Sequence, residues 1–197
     1  MIQFEEITLS YPTGNVFSNL SFFVEEGSHV CISGPSGSGK SSVLKIIQGY
    51  ILPDKGNVKI NGTSLNKNSV KEVRSIMTYV PQNINLPVSN GEELLNLVGS
   101  GNKKEMTGRF IQMLGLEKEM VRRPFDEMSG GQKQRIVISV CLSLDRDIIL
   151  LDEPTSSLDE ESIQNLIRVI NEFGGKTIVS ASHNQMWIES VDKVVVL

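Results

Sequence analysis

The sequence predicts an α/β fold: a mixed, mostly parallel sheet flanked by helices, with an antiparallel β subdomain at the N-terminus and a helical subdomain inserted later. Three observations lead there. Buried-strand patterns alternate with helical spacing along the 197 residues, as in chains built from βα units. A glycine-rich stretch sits where one strand hands over to a helix. Between Asn83 and Met128 the strand pattern disappears and helical spacing replaces it. A chain of this length buries one sizeable core and is too short for two full-sized domains.

Ile2 to Ser10 alternates apolar and polar residues, and Val16 to Glu25 does so more loosely, with Pro12-Thr13-Gly14-Asn15 as turn chemistry between them. They read as two antiparallel strands. Tyr11, just before the turn, is either a surface aromatic or a platform on which a nucleotide base stacks. Ser28 to Ser33 reads as a short buried strand and Ser42 to Ile47 as a helix. Between them Gly34-Pro35-Ser36-Gly37-Ser38-Gly39-Lys40-Ser41 fits G-x-x-x-x-G-K-[ST] in the strand–loop–helix context that the motif requires. Its glycines let the backbone turn N–H groups inward, where with the helix N-terminus they hold phosphate oxygens. Lys40 is expected to reach the β- and γ-phosphates and Ser41 to ligand Mg²⁺. The core is therefore expected to be of the P-loop NTPase kind.

Downstream, Gly56 to Gly62 reads as a strand between turns, and Ser75 to Val80 as another that closes on Pro81-Gln82. Glu92 to Val98 and Lys103 to Leu114 carry helical spacing, broken by Gly99-Ser100-Gly101 and Gly115. Ser129-Gly130-Gly131-Gln132 has the form of a helix start, with Ser129 free to cap and Lys133 to Leu144 supplying the apolar face. Asp147 to Leu151 is a buried strand running into Asp152-Glu153, at the carboxyl end where ligand crevices of open α/β sheets lie. Phosphate loop and carboxylate are expected to converge from neighbouring parallel strands, Asp152 holding Mg²⁺ through water and Glu153 orienting the attacking water. A helix from Glu160 to Phe173, a strand from Lys176 to Ser180, a polar turn with His183, a short helix to Ser190 and a strand from Lys193 to Leu197 complete the alternation. His29, before the loop strand, reads as structural.

The net charge of -4 and the absence of a Lys/Arg cluster argue against a nucleic-acid partner. Cys31 and Cys141 lie in apolar segments, reading as small buried hydrophobes of a reducing compartment rather than as a disulfide. No stretch approaches the roughly 18 consecutive apolar residues of a membrane span, and Met1 to Glu6 lacks the basic region of a signal peptide.

With Ser129-Gly130-Gly131-Gln132 between the phosphate loop and Asp152-Glu153, the chain resembles, from end to end, the nucleotide-binding subunit of an ATP-binding cassette (ABC) transporter. The resemblance implies that Tyr11 stacks on adenine beside the loop residues Gly34 to Ser42. It implies that Gln82 couples γ-phosphate and metal to the membrane partner, and that Ser129, Gly130, Gly131 and Gln132 form the signature motif. Asp152 then matches the metal-binding aspartate, Glu153 the catalytic glutamate, Ser156 to Asp159 the D-loop and His183 the switch histidine. Catalytic roles would fall to Glu153, His183 and Lys40, metal contacts to Ser41, Gln82 and Asp152, and nucleotide contacts would include Asp159.

By the same resemblance the expected fold is a single ABC ATPase domain, residues 1–83 and 136–197 forming the core with its antiparallel subdomain and 84–135 the helical signature subdomain. The expected activity is hydrolysis of ATP with Mg²⁺. Two subunits, identical or different, would sandwich ATP and drive a separate transmembrane permease from the cytoplasmic face of the membrane; the alternative is a cassette that passes a mechanical signal to a membrane partner without transport. Asn83 to Val88, apolar at alternate positions without a core period, is expected to be an exposed, partly apolar surface for that partner. Four departures from the family pattern stand out: Met128 for a leucine, Ser139-Val140 for Ala-Arg, Asn184 for an acid after the histidine, and an end at Leu197 that leads one to expect no C-terminal regulatory domain.

Overall fold

A computed structural model of the chain describes residues 1–99 and 103–197. The expected break at Gly99-Ser100-Gly101 falls largely outside them. In the N-terminal sheet, β1 (Ile2–Tyr11) pairs antiparallel with β2 (Gly14–Val24) and with β4 (Lys55–Ile60), and the short β5 (Thr63–Ser64) closes the order β2-β1-β4-β5. The apolar alternation of β1 slips from Ile2 and Phe4 to Ile7 and Leu9, all buried. The register shifts between Phe4 and Ile7, where Glu6 takes φ 52°. A bulge of this kind moves the core face from even to odd positions.

The second sheet has the order β6-β7-β8-β3-β9, with β3 (His29–Ser33), β6 (Met77–Val80), β7 (Ile148–Asp152), β8 (Thr177–Ala181) and β9 (Lys193–Val196) all parallel. Its central strands are buried on both faces, which explains the mostly apolar runs of β3 and β7. Val30, Ile32, Ile148, Leu150 and Val179 face a core shared with the antiparallel sheet and α1 (Lys40–Ile47). Cys31, Ile149, Leu151 and Ile178 face the opposite core. There they meet α3 (Gly91–Leu97), α4 (Lys104–Met113), α5 (Gly130–Ser143) and α6 (Glu160–Glu172). Among the described residues the remaining α-helices are α2 (Val70–Ser75) and α7 (Gln185–Glu189).

Three sequence expectations need correction. The strand leading to the phosphate loop and the strand ending in Asp152 are not neighbours: β8 pairs with both and lies between them. Order along the chain does not reveal which strands pair. Ile84, Leu86 and Val88 are half-buried and pack on the core beneath α5 rather than standing exposed; their alternation fits a loop with one face inward. Finally, α2 was not expected, since among its six residues only Val73 is buried and no apolar period marks it. Its Arg74 nonetheless closes the end of α1, donating from Nε to the Gln48 carbonyl at 2.7 Å and stacking 4.0 Å over Tyr50.

His29 is buried at 7% exposure, its Nε2 3.0 Å from Ser180 Oγ and its ring set edge-on to Trp187. Trp187 Nε1 donates to the same hydroxyl at 2.9 Å, so the residue ties α7 to the sheet. Burial pulls the His29 pKa from 6.5 down to about 4, opposed by the Asp192 carboxylate. The unfolded chain therefore takes up a proton near pH 6.5 that the folded chain refuses until about 4. The stability this represents is complete above pH 6.5 and is lost as pH falls through that window. Unfolding followed by the fluorescence of Trp187 should show the advantage of the wild type over His29→Gln shrinking by on the order of 2–3 kcal/mol from pH 7 to pH 4. A difference constant with pH would mean that His29 is not held neutral.

Candidate functional site

The glycine-rich loop leaves the carboxyl end of β3 and enters α1, whose N-cap is Gly39 at φ 99°. A β-carbon there would strike the Val16 side chain, so both conformation and space demand glycine. Ser38 donates its N–H to the Pro35 carbonyl at 3.2 Å, while its hydroxyl is buried without a partner among the described residues. A buried partnerless hydroxyl in a glycine-rich loop at a helix start suits a phosphate oxygen. Lys40 is buried at 7% exposure; its Nζ donates to the Gly34 and Pro35 carbonyls at 2.9 and 3.1 Å and stands 3.6 Å from Glu153 Oε1.

At the end of β7, Asp152 Oδ1 accepts from Ser41 Oγ at 2.9 Å and Oδ2 from the Tyr79 hydroxyl at 3.0 Å. Burial pushes the Asp152 carboxyl above its ordinary range, and these two hydrogen bonds pull it back. Tyr79 lies opposite Leu150 in the β6–β7 ladder. Its side chain thus shares a sheet face with Asp152, two residues along. Burial and the adjacent carboxylate both raise its phenol pKa, so it stays a donor. Tyr79 was missed in the sequence, where the one available signal was a hydroxyl-bearing ring in a short, largely buried strand.

Glu153 is 6% exposed, and both its carboxylate oxygens lie 3.0 Å from His183 Nδ1. The carboxylate thus sits between a buried ammonium on the loop and an exposed imidazole beyond β8. Tyr11 is 40% exposed on the far side of the loop, and its hydroxyl is 3.1 Å from Ser42 Oγ. Loop, Asp152, Glu153, His183 and Tyr11 are therefore brought to one end of the parallel sheet.

Other candidates make no side-chain hydrogen bond to this group among the described residues. Gln82 is exposed and lines an open groove with Asn83, Ile84, Gly130, Lys133 and Ser157. Ser129 caps α5 in a reciprocal box: its Oγ accepts from Gln132 N at 3.2 Å and its own N–H donates to Gln132 Oε1 at 3.1 Å. A β-carbon on Gly131 would come within 2.5 Å of the Ser157 carbonyl, which explains glycine at that position. Among the described residues no hydrogen bond or ion pair joins residues 129–132 to the loop. Asp159 caps α6, accepting from Ser162 N at 2.8 Å.

The family model described as ABC transporter matches residues 17–156, well over half of the chain. The chain belongs to the ABC transporter family. It is 32% identical to the energy-coupling factor transporter ATP-binding protein EcfA1 of Fusobacterium nucleatum, covering all of this chain and 78% of that protein. It is 33% identical to the ABC transporter ATP-binding protein YtrE of Bacillus subtilis over 93% of this chain and 89% of that one. Its fold superposes on the ATP-binding cassette MJ0796, solved as a dimer in a post-hydrolysis state with ADP and Pi, with a TM-score of 0.85 at 28% identity over all of this chain and 94% of that one.

At two departures from the ABC family pattern the residue present is locally bonded. Asn184 caps α7, its Oδ1 accepting from Trp187 N at 3.0 Å, and Ser139 is fully buried with its hydroxyl returned to the Arg135 carbonyl at 2.8 Å. The Tyr79 contact yields a direct test. Replacing Tyr79 by Phe removes one donor to a buried carboxylate, so urea unfolding without nucleotide should show a loss of about 1–2 kcal/mol. A Tyr79→Phe protein as stable as wild type would show that this bond does not hold Asp152.

Proposed function

We propose that this ABC ATPase is the ATP-binding and ATP-hydrolysing subunit of a transporter, closing as a dimer around two ATP to drive a separate transmembrane permease from the cytoplasmic face of the membrane. The observation that carries this reading is the placement of the Glu153 carboxylate between Lys40 and His183, one residue past Asp152. A carboxylate held at the edge of a phosphate loop suits activation of water beside a γ-phosphate.

ATP fits the donors present. The loop amides of residues 34–42, the orphan Ser38 hydroxyl and the Lys40 ammonium receive the phosphates, and Tyr11 supplies a ring for the base. Mg²⁺ also fits. Ser41 Oγ and Asp152 Oδ1 are hard oxygens within 2.9 Å of each other, and no group of three or more His, Cys, Asp or Glu among the described residues forms a cage of its own. Such a sparse set matches a cation that keeps waters and shares phosphate oxygens, with Gln82 as a further ligand on closure. When bound, it neutralises charge between the β- and γ-phosphates. Glu153 accepts a proton from the attacking water, whose oxygen bonds to the γ-phosphorus as the bridging bond to ADP breaks; His183 and Lys40 steady the charge on the γ-phosphoryl oxygens.

Among the described residues Ser129 to Gln132 make no hydrogen bond or ion pair with the loop of their own chain, which supports a role across a dimer in which the helical lobe, residues 84–135, covers the partner's nucleotide. The dimer reported for MJ0796 with ADP and Pi supports the same reading. The chain carries no helix long and apolar enough to cross a membrane among its described residues.

Two substitutions test the chemistry separately. Lys40→Ala should weaken ATP binding and abolish turnover with the fold retained. Glu153→Gln keeps size and one acceptor but loses the charge, so it should bind ATP within a few-fold of wild type yet release phosphate at least about a hundredfold more slowly. Phosphate release at the wild-type rate from Glu153→Gln would remove Glu153 from the chemical step.

A further inference from the structure

The catalytic assignment leaves one buried polar side chain beside Glu153 without a role. Gln134 lies on α5 just past the signature residues and is 1% exposed. Its Nε2 donates to the Glu153 carbonyl at 3.2 Å, while its Oε1 has no partner among the described residues. A buried amide with one unsatisfied end is a poor choice for stability, since an apolar side chain of equal length would do as well or better.

The group that Gln134 grips is unusual. Glu153 has φ 46°, left-handed backbone that a residue with a β-carbon keeps only when its surroundings impose it. Three hydrogen bonds impose it here: Glu153 N donates to the Ala181 carbonyl at 2.8 Å, and the Glu153 carbonyl accepts from Ser156 N at 3.2 Å and from Gln134. The first comes from the neighbouring strand and the second from the turn itself. Only the third comes from the helix that begins at the signature. A residue at the end of β7 with ordinary extended backbone would direct its side chain elsewhere, because φ sets the direction of the Cα–Cβ bond.

We propose that Gln134 is a positioning residue: its hydrogen bond to the Glu153 carbonyl holds the left-handed backbone that aims the Glu153 carboxylate between Lys40 and His183, and so ties that aim to the signature helix. The inference rests on the reading of Glu153 as the group that takes the proton from water. Gln134 also lines the groove that contains Gln82, Asn83 and Ser157. Displacement of α5 at that groove or at the signature thus reaches the carboxylate through one side chain.

The test uses Gln134→Met, which keeps length and helix propensity and removes both polar ends, with Gln134→Leu as a second variant. Both should lower kcat about tenfold or more while KM for ATP stays within about threefold, the pattern of an interaction felt in the chemical step. Their thermal midpoints should equal or exceed that of the wild type, because the orphan Oε1 is gone. In a Glu153→Gln background, single-turnover hydrolysis should change less than about twofold on adding Gln134→Met, since residues that act as one unit are non-additive. Equal fold losses in both backgrounds, a kcat within twofold of wild type, or a loss of activity that tracks a lowered midpoint would each overturn the proposal. If Glu153→Gln alone turned over normally, the reading of Glu153 itself would be at fault; if it did not and Gln134→Met did, only the role of Gln134 would fall.

Discussion

The hydrogen bond from Ser41 to Asp152 joins residues 111 apart and fixes the relation on which the rest of the site depends. It brings the start of α1 to the end of β7 across the intervening β8, and so places Lys40 and Glu153, one residue to either side of the bonded pair, 3.6 Å apart. Three charged side chains gather there with less than a tenth of their surface exposed. Burial of that kind is tolerated only if each charge is paired or hydrogen-bonded. Each of them is: Lys40 by two loop carbonyls and Glu153, Asp152 by Ser41 and Tyr79, Glu153 by Lys40 and His183.

The parallel sheet separates two kinds of neighbour for this cluster. On one face the antiparallel sheet and α1 form a core that includes the strand leading into the loop. On the other face α3 to α6 pack around Cys31, Ile149 and Leu151. Among the described residues, the Gln134 amide and the close passage of Gly131 over the Ser157 carbonyl join the second side to Glu153 and its flanking turn. A helical lobe joined to the chemistry by these groups can alter the geometry of the carboxylate by small shifts, which is how packed elements pass on discrete displacements.

Most of this was legible because its signals are local. The glycine-rich loop needs glycines where backbone turns sharply, and Ser129 shows itself as a helix cap, so both are written in consecutive residues. What escaped depends on distance in the chain. That β8 separates β3 from β7 is a matter of pairing, and no pattern within any of those strands records it. Tyr79 and Gln134 act on residues 73 and 19 positions away through single hydrogen bonds, and each looks like an ordinary member of its strand or helix. Helix α2 buries too little to leave a periodic trace. The alternating residues Ile84, Leu86 and Val88 were misread as exposed because alternation shows that one face differs from the other, not which face is covered.

A second subunit would complete the site, since residues 129–132 make no hydrogen bond or ion pair with the loop of their own chain among the described residues. The most direct measurement is the mass of Glu153→Gln in solution by light scattering, with Mg²⁺ and ATP and then without nucleotide. A protein that binds ATP but does not hydrolyse it should remain closed, giving the mass of a dimer with ATP and of a monomer without it. A monomer under both conditions, with ATP bound at saturation, would contradict a site shared between two chains.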